Sequence, residues 1–168
     1  MIVAQARKSV FYRSYGVPDT VEGRLDMIVL HLFLLLRALP GVDGASALGQ
    51  ELFDRFCSDI DDNFREMGVG DLAVPKRMQQ VAEAFYGRAR VYESALVAAD
   101  PAQLEAAVAR NVFGTNEPPL GARRLADYMR RAGERLMQGS PEAWIGGGVA
   151  FPDPSDRGPD AADHETNR

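Results

Sequence analysis

Long stretches of the chain place apolar residues every three or four positions, glycine and proline fall between those stretches, and no run alternates β-branched with polar residues. Such spacing gathers the apolar side chains on one face of an α-helix, so the chain is expected to fold by packing helix against helix. At 168 residues it is long enough for one domain with a sizeable core and needs no disulfide or metal to hold it.

Individual helices follow from the punctuation. Val3, Ala6, Val10 and Phe11 predict a first helix. Asp19, with Glu22 three residues on, predicts a capping box opening the next. That helix carries Leu25, Ile28, Val29, Leu32, Phe33, Leu35, Leu36 and Leu39, runs to Pro40-Gly41, and is apolar nearly all round, which marks it as central. From about Ser46, a stripe of Leu48, Leu52, Phe53, Phe56, Ile60, Phe64 and Met67 leads to Gly68, a residue suited to a left-handed cap. Pro75 fits the first turn of a long helix facing the core through Met78, Val81, Phe85, Tyr92 and Leu96, while Val74, preceding proline, is expected to be extended. Asp100 caps a shorter helix ending at Gly114, residues 115–119 form a loop, and a last long helix spans about Leu120 to Met137. Ser140-Pro141-Glu142 starts one more turn that docks Trp144. The expected fold class is all-α: a single compact domain of about six helices over residues 1–145, followed by a disordered acidic tail over 146–168.

Charge and cysteine content restrict function. A formal net charge of -5 argues against a general nucleic-acid binder, so no specific DNA contact is expected. One cysteine makes no internal disulfide and suits a reducing compartment. The most apolar run, Met27 to Leu36, falls well short of the roughly 20 residues a bilayer requires, and residues 1–16 hold no secretory signal. The expectation is a cytoplasmic protein. Basic residues nevertheless cluster in residues 1–15 (Arg7, Lys8, Arg13) and around the last long helix (Arg123, Arg124, Arg130, Arg131, Arg135), faces that could approach an anionic membrane or an acidic protein.

No catalytic or metal constellation is legible, and no cofactor is expected. His31 is the one histidine of the expected body; it reads as a satisfied polar group in an apolar helix or, with Asp26 or Glu22, as a base or ligand. Cys57 reads as a small apolar residue whose acidic surroundings disfavour a thiolate. Asp59, Asp61, Asp62 and Glu66 lack the glycine turn of an EF-hand loop and read as a solvated face, with Asp61 and Asp62 near enough to Arg65 to fix the helix end. Gly146-Gly147-Gly148 has no phosphate-loop sequence after it. Gly87, in mid-helix, costs about 1 kcal/mol relative to alanine, and two readings stay open: a neighbouring helix approaches closely, or a groove receives an apolar partner, with Met67, Met78, Met129 and Met137 to line it.

Three stretches, AQARKSVFYRSYGVPDTVEGRLDMIVLHLFLLLRAL, LFDRFCSDIDDNFREMGVGDLAVPKRMQQVAEAFYGRARVYESAL and NVFG, resemble the ubiquinol-cytochrome c chaperone family, with DDNFREMGVGDLAVPKRM and AFYGR the most specific parts. The resemblance implies a bacterial-type, non-enzymatic helical chaperone that binds newly synthesised or newly inserted cytochrome b and promotes assembly of the ubiquinol-cytochrome c reductase complex. It also implies contacts to look for with the ribosome, with a small partner protein and, peripherally, with the inner face of the inner membrane. Matching the specific segment points to Phe64, Arg65, Val69, Asp71, Val74, Met78, Phe85, Tyr86 and Arg88 as the partner surface. The alternatives are a membrane-peripheral helical adaptor or a small-ligand-binding helical protein.

Overall fold

A computed structural model describes residues 2–39, 44–66, 68–140, 143, 144, 146, 148 and 150–156. Its elements are α1 (Ile2–Ala6), α2 (Ser9–Arg13), α3 (Val21–Ala38), α4 (Ala45–Glu66), α5 (Val74–Val97), α6 (Ala102–Val108), a π-helical turn (Ala109–Phe113) and α7 (Leu120–Met137). The fold is all-α, as the periodicity requires, and among the described residues there is no strand. No helix among them is long and apolar enough to cross a membrane.

The central helix is α3. Met27, Leu30, Leu32, Leu34 and Leu35 are essentially fully buried, each worth roughly 1.5–3 kcal/mol relative to exposure. Its main neighbours are α1 on one side and α7 on the other, and α7 in turn packs on α6. Leu125, Ala126, Met129, Ala132 and Leu136 supply the buried face of α7, leaving the arginines around its outside. The long α5 joins the core through Phe85, Tyr92 and Ala95.

Several local expectations are corrected. The first helix is two short pieces: the Tyr12 hydroxyl donates to the Ala6 carbonyl (2.8 Å) where the chain breaks, and Lys8 is extended. Thr20, not Asp19, caps α3; the Gly23 N–H donates to Thr20 Oγ1 (3.1 Å), while Asp19 is held by Arg24 (2.7 Å). Val74 is not extended but begins α5, because the turn from Gly70 winds into the helix through bonds from the Ala73 and Val74 N–H groups to the Gly70 carbonyl. Gly68 and Gly114 have the positive φ of left-handed caps, +77° and +65°. Pro40, Gly41, Met67, Pro141 and Glu142 lie outside the described residues.

Part of the segment expected as tail lies against the body. Residues 150–156 form a strap across the core rather than a solvated tail. Phe151 is buried and meets the His31 ring edge-on at 5.0 Å. The Pro152 carbonyl accepts from Gln5 Nε2 (3.0 Å), the Pro154 carbonyl from the Tyr15 hydroxyl (2.8 Å), and the Asp156 carbonyl from Arg131. The strap ends in a turn, the Asp156 N–H donating to the Asp153 carbonyl (3.2 Å), and its carbonyls meet donors that burial would otherwise leave unsatisfied. The remainder of the expected tail, residues 157–168, lies outside the described residues.

Candidate functional site

The specific sequence segment folds into the α4–α5 hairpin. Its two helices are zipped by aromatic rings: Phe53 lies 5.1 Å from Phe85 and 5.5 Å from Tyr86, and Phe56 lies 6.2 Å from Phe85. At the closed end, Arg65 bonds Asp61 within α4 (2.6 Å) and reaches Asp71 in the connecting loop (2.5 Å), tying the loop to the helix it leaves. These exposed pairs contribute little stability individually, but two carboxylates on one guanidinium fix the loop's direction. Asp61 thus secures the helix end as expected, with Asp71 rather than Asp62 as the second carboxylate. Next to Asp71, Leu72 is 99% exposed.

A cavity of about 520 Å³ opens where the hairpin meets α3. Leu25 and Val29 of α3, Phe64 of α4 and Val81 of α5 form its apolar lining. Charged groups frame it: Arg77 lies over the Phe64 ring at 5.6 Å, and Arg88 bonds Asp26 at 2.8 Å. Burial pushes the Asp26 carboxyl above its ordinary range, Arg88 opposes that, and Glu22 adds to it. Of nine residues expected at the partner surface, Phe64 and Arg88 line this cavity, Arg65, Asp71 and Tyr86 are exposed, and Val69 and Met78 are half-buried. Val74 and Phe85 are corrected to core: they are 1% and 4% exposed, Phe85 because it fills the space between Phe53 and Phe56.

Gly87 does not mark a close approach. A methyl group there would meet nothing within 4 Å outside its own helix, so the neighbouring-helix reading is overturned and its flank is open. Beside it, Tyr86, Ala89 and Arg90 border a second cavity of about 560 Å³ against Phe33, where Arg37 holds Glu93 at 2.7 Å. The methionines do not share one groove, because Met129 is wholly buried in α7 and Met137 is exposed at its end.

A third opening, about 490 Å³, lies where α4 passes α3 and α1, at a place that no sequence motif marks. Ile28, Leu52 and Ile60, read as core from their spacing, are half-buried along it, while Leu32 is buried at its base. Helical periodicity reports which face of a helix is apolar, not how completely a neighbour covers that face.

His31 sits apart from these surfaces in a closed polar chain. Its Nδ1–H donates to the Met27 carbonyl (2.7 Å), which leaves Nε2 to accept from the Tyr128 hydroxyl (2.9 Å). Tyr128 Oη accepts in turn from Gln5 Nε2 (3.0 Å). Burial lowers the imidazole pKa to about 4, the Met27 bond opposing and Lys8 adding slightly. A neutral, wholly enclosed imidazole with both nitrogens occupied is a structural group. Cys57 is half-buried, and burial, then Asp54, pushes its thiol pKa up, which disfavours the nucleophilic thiolate. Among the described residues no group of acidic, histidine and cysteine side chains is arranged to hold a metal ion.

The model of the ubiquinol-cytochrome C chaperone family matches residues 13–151, which takes in every long helix and the first two residues of the docked strap. Among solved structures, that of the Cbp3 homolog from Brucella abortus is similar to the chain at 41% sequence identity, with 91% of this chain and 85% of that chain covered and a TM-score of 0.82. No curated protein sequence matches the chain.

Proposed function

Because the chain belongs to the ubiquinol-cytochrome C chaperone family, we propose that it binds newly made cytochrome b and delivers it to the assembling ubiquinol-cytochrome c reductase complex, acting as a binding protein and not as an enzyme. The observation that carries this reading is the family match over residues 13–151, which spans the α4–α5 hairpin and its flanking cavities as well as the core. The geometry is consistent with it. Open apolar recesses framed by arginines and carboxylates suit an adaptable polypeptide partner, since apolar lining supplies affinity and the polar frame supplies register.

The partner surface is drawn from Phe64, Arg65, Val69, Asp71, Met78, Tyr86 and Arg88, with Leu72 at its tip and the open flank of Gly87 beside it. Arg7, Lys8 and Arg13 around the first two short helices and the basic outer face of α7 would bring the protein to the inner face of the membrane, where its client inserts, or to the ribosome. Photo-cross-linking tests the surface directly. A benzophenone amino acid placed at position 86, 71 or 65 should form an adduct with newly synthesised cytochrome b in intact cells. If all three positions leave cytochrome b unlabelled while a position on the far side of α7 labels it, the surface is misassigned.

A further inference from the structure

The strap that closes the body is held as a separate peptide would be. Phe151, Pro152 and Pro154 are buried, whereas Asp153, Ser155 and Asp156 are exposed. Phe151 seats its ring on His31, which packs with Phe11 at 5.4 Å and with Tyr128 at 5.6 Å in one aromatic cluster. The polar bonds run from body to strap: Gln5 of α1, Tyr15 just beyond α2 and Arg131 of α7 donate to the carbonyls of alternate strap residues, 152, 154 and 156. Pro152 and Pro154 have no N–H to return, and the N–H groups of Ser155 and Asp156 stay within the strap on Asp153. Docking of a proline-rich segment on an aromatic-lined groove is a recurring mode of peptide recognition between proteins. Such contacts depend on the chemistry of the segment and not on its covalent link to the body, which here runs through Gly146-Gly147-Gly148.

The strap also fills its groove incompletely. Arg131 Nη1 meets the Asp156 carbonyl, but Nε of the same guanidinium is enclosed without an acceptor among the described residues. A buried donor left unpaired is costly, so an occupant that offers Arg131 one more acceptor would hold the groove better than the strap does. We infer that the groove between α1, Tyr15 and α7 is a recognition site for an extended segment of a partner protein in which an aromatic residue leads a Pro-x-Pro pattern, and that the strap is its intramolecular occupant, displaced when the partner binds. The site is built from other elements than the α4–α5 hairpin and stands independently of the chaperone reading.

The test uses the full chain with a protease site inserted in the glycine run, cut so that the strap is held by its contacts alone, and a fluorescein-labelled peptide of residues 150–156, Ala-Phe-Pro-Asp-Pro-Ser-Asp. The cut chain should keep its helical circular dichroism. By fluorescence anisotropy it should bind the peptide at least about tenfold tighter than the uncut chain, in which the tethered strap competes at high effective concentration. Alanine in place of the peptide's phenylalanine should weaken binding at least about tenfold. Tyr15→Phe, which removes one donor and keeps the ring, should weaken it several-fold. Loss of the helical signal on cutting overturns the proposal, because the strap is then part of the fold and not a ligand of it. So does a peptide that fails to bind the cut chain, or equal binding of the phenylalanine and alanine peptides. A dimer of the uncut chain that forms with rising concentration and is lost in Phe151→Ala also overturns it, assigning the groove to the strap of a second copy.

Discussion

His31 shows how one residue joins four parts of the chain. Through Tyr128 and Gln5 it links α3, α7 and α1 to the Pro152 carbonyl of the strap, and every donor in that chain has an acceptor. Such a buried network is stabilising only while the imidazole stays neutral. The folded protein resists protonating it until about pH 4, whereas the unfolded chain takes up the proton near 6.5. Between those values the unfolded state binds more protons, so stability rises with pH and is flat above 6.5; acidification across the window should cost roughly 3 kcal/mol. Denaturant titrations of wild type and His31→Gln check this: the variant should be less stable at pH 7 but lack that slope, although Asp26, whose raised pKa acts in the opposite direction, remains in both. The glycines provide a second test at this scale. A methyl group at Gly23 would collide with the Pro18 carbonyl and one at Gly121 with the Tyr15 carbonyl, so alanine at either should destabilise by about 2 kcal/mol or more. Gly87→Ala, facing open space, should stabilise by up to about 1 kcal/mol. The sequence marks Gly87, which interrupts a helix, and does not mark Gly23 or Gly121, since close approach by a loop backbone leaves no sign in helical periodicity.

At the level of elements, α3 and α7 are closed units and α4 is an open one. The apolar run of α3 was legible because a helix apolar on nearly every side must be surrounded. The limits of α7, Leu120–Met137, coincided with expectation because proline precedes the helix and its polar and apolar faces are sharply divided. By contrast, α4 has the same kind of stripe as a core helix but buries only part of it. Its contribution to the core is correspondingly small, and its amides should exchange with solvent faster than those of α3 and α7 in native-state hydrogen exchange by mass spectrometry. Protection of α4 equal to that of α3 would contradict the loose packing assigned to it. The π-helical turn Ala109–Phe113, stopped by Gly114, was likewise unreadable. The NVFG sequence announces a helix end, but the wider turn arises where Phe113 packs beside Gly121.

The whole molecule is a helical body closed by its own C-terminal strap and left open along the α4–α5 hairpin. The strap was read as tail because one phenylalanine among glycine, proline and aspartate has no period, yet Phe151 and the carbonyls of residues 152 and 154 complete the core. Phe151→Ala should therefore destabilise the whole domain by about 3 kcal/mol and lower its melting temperature by several degrees. Of the candidate surface, the sequence resemblance pointed to one hairpin, but burial decides which of its side chains a partner can reach, and burial of Val74 and Phe85 depends on the packing of whole helices. The open recesses along the hairpin fit the proposed role, in which the molecule works by covering its client. The most direct test of that role is the reduced-minus-oxidised absorbance spectrum of membranes from a strain lacking this protein. The account predicts loss of the cytochrome b signal with its transcript intact, restored by the wild-type chain. A deletion strain that accumulates a normal cytochrome b spectrum and an assembled reductase complex would contradict it.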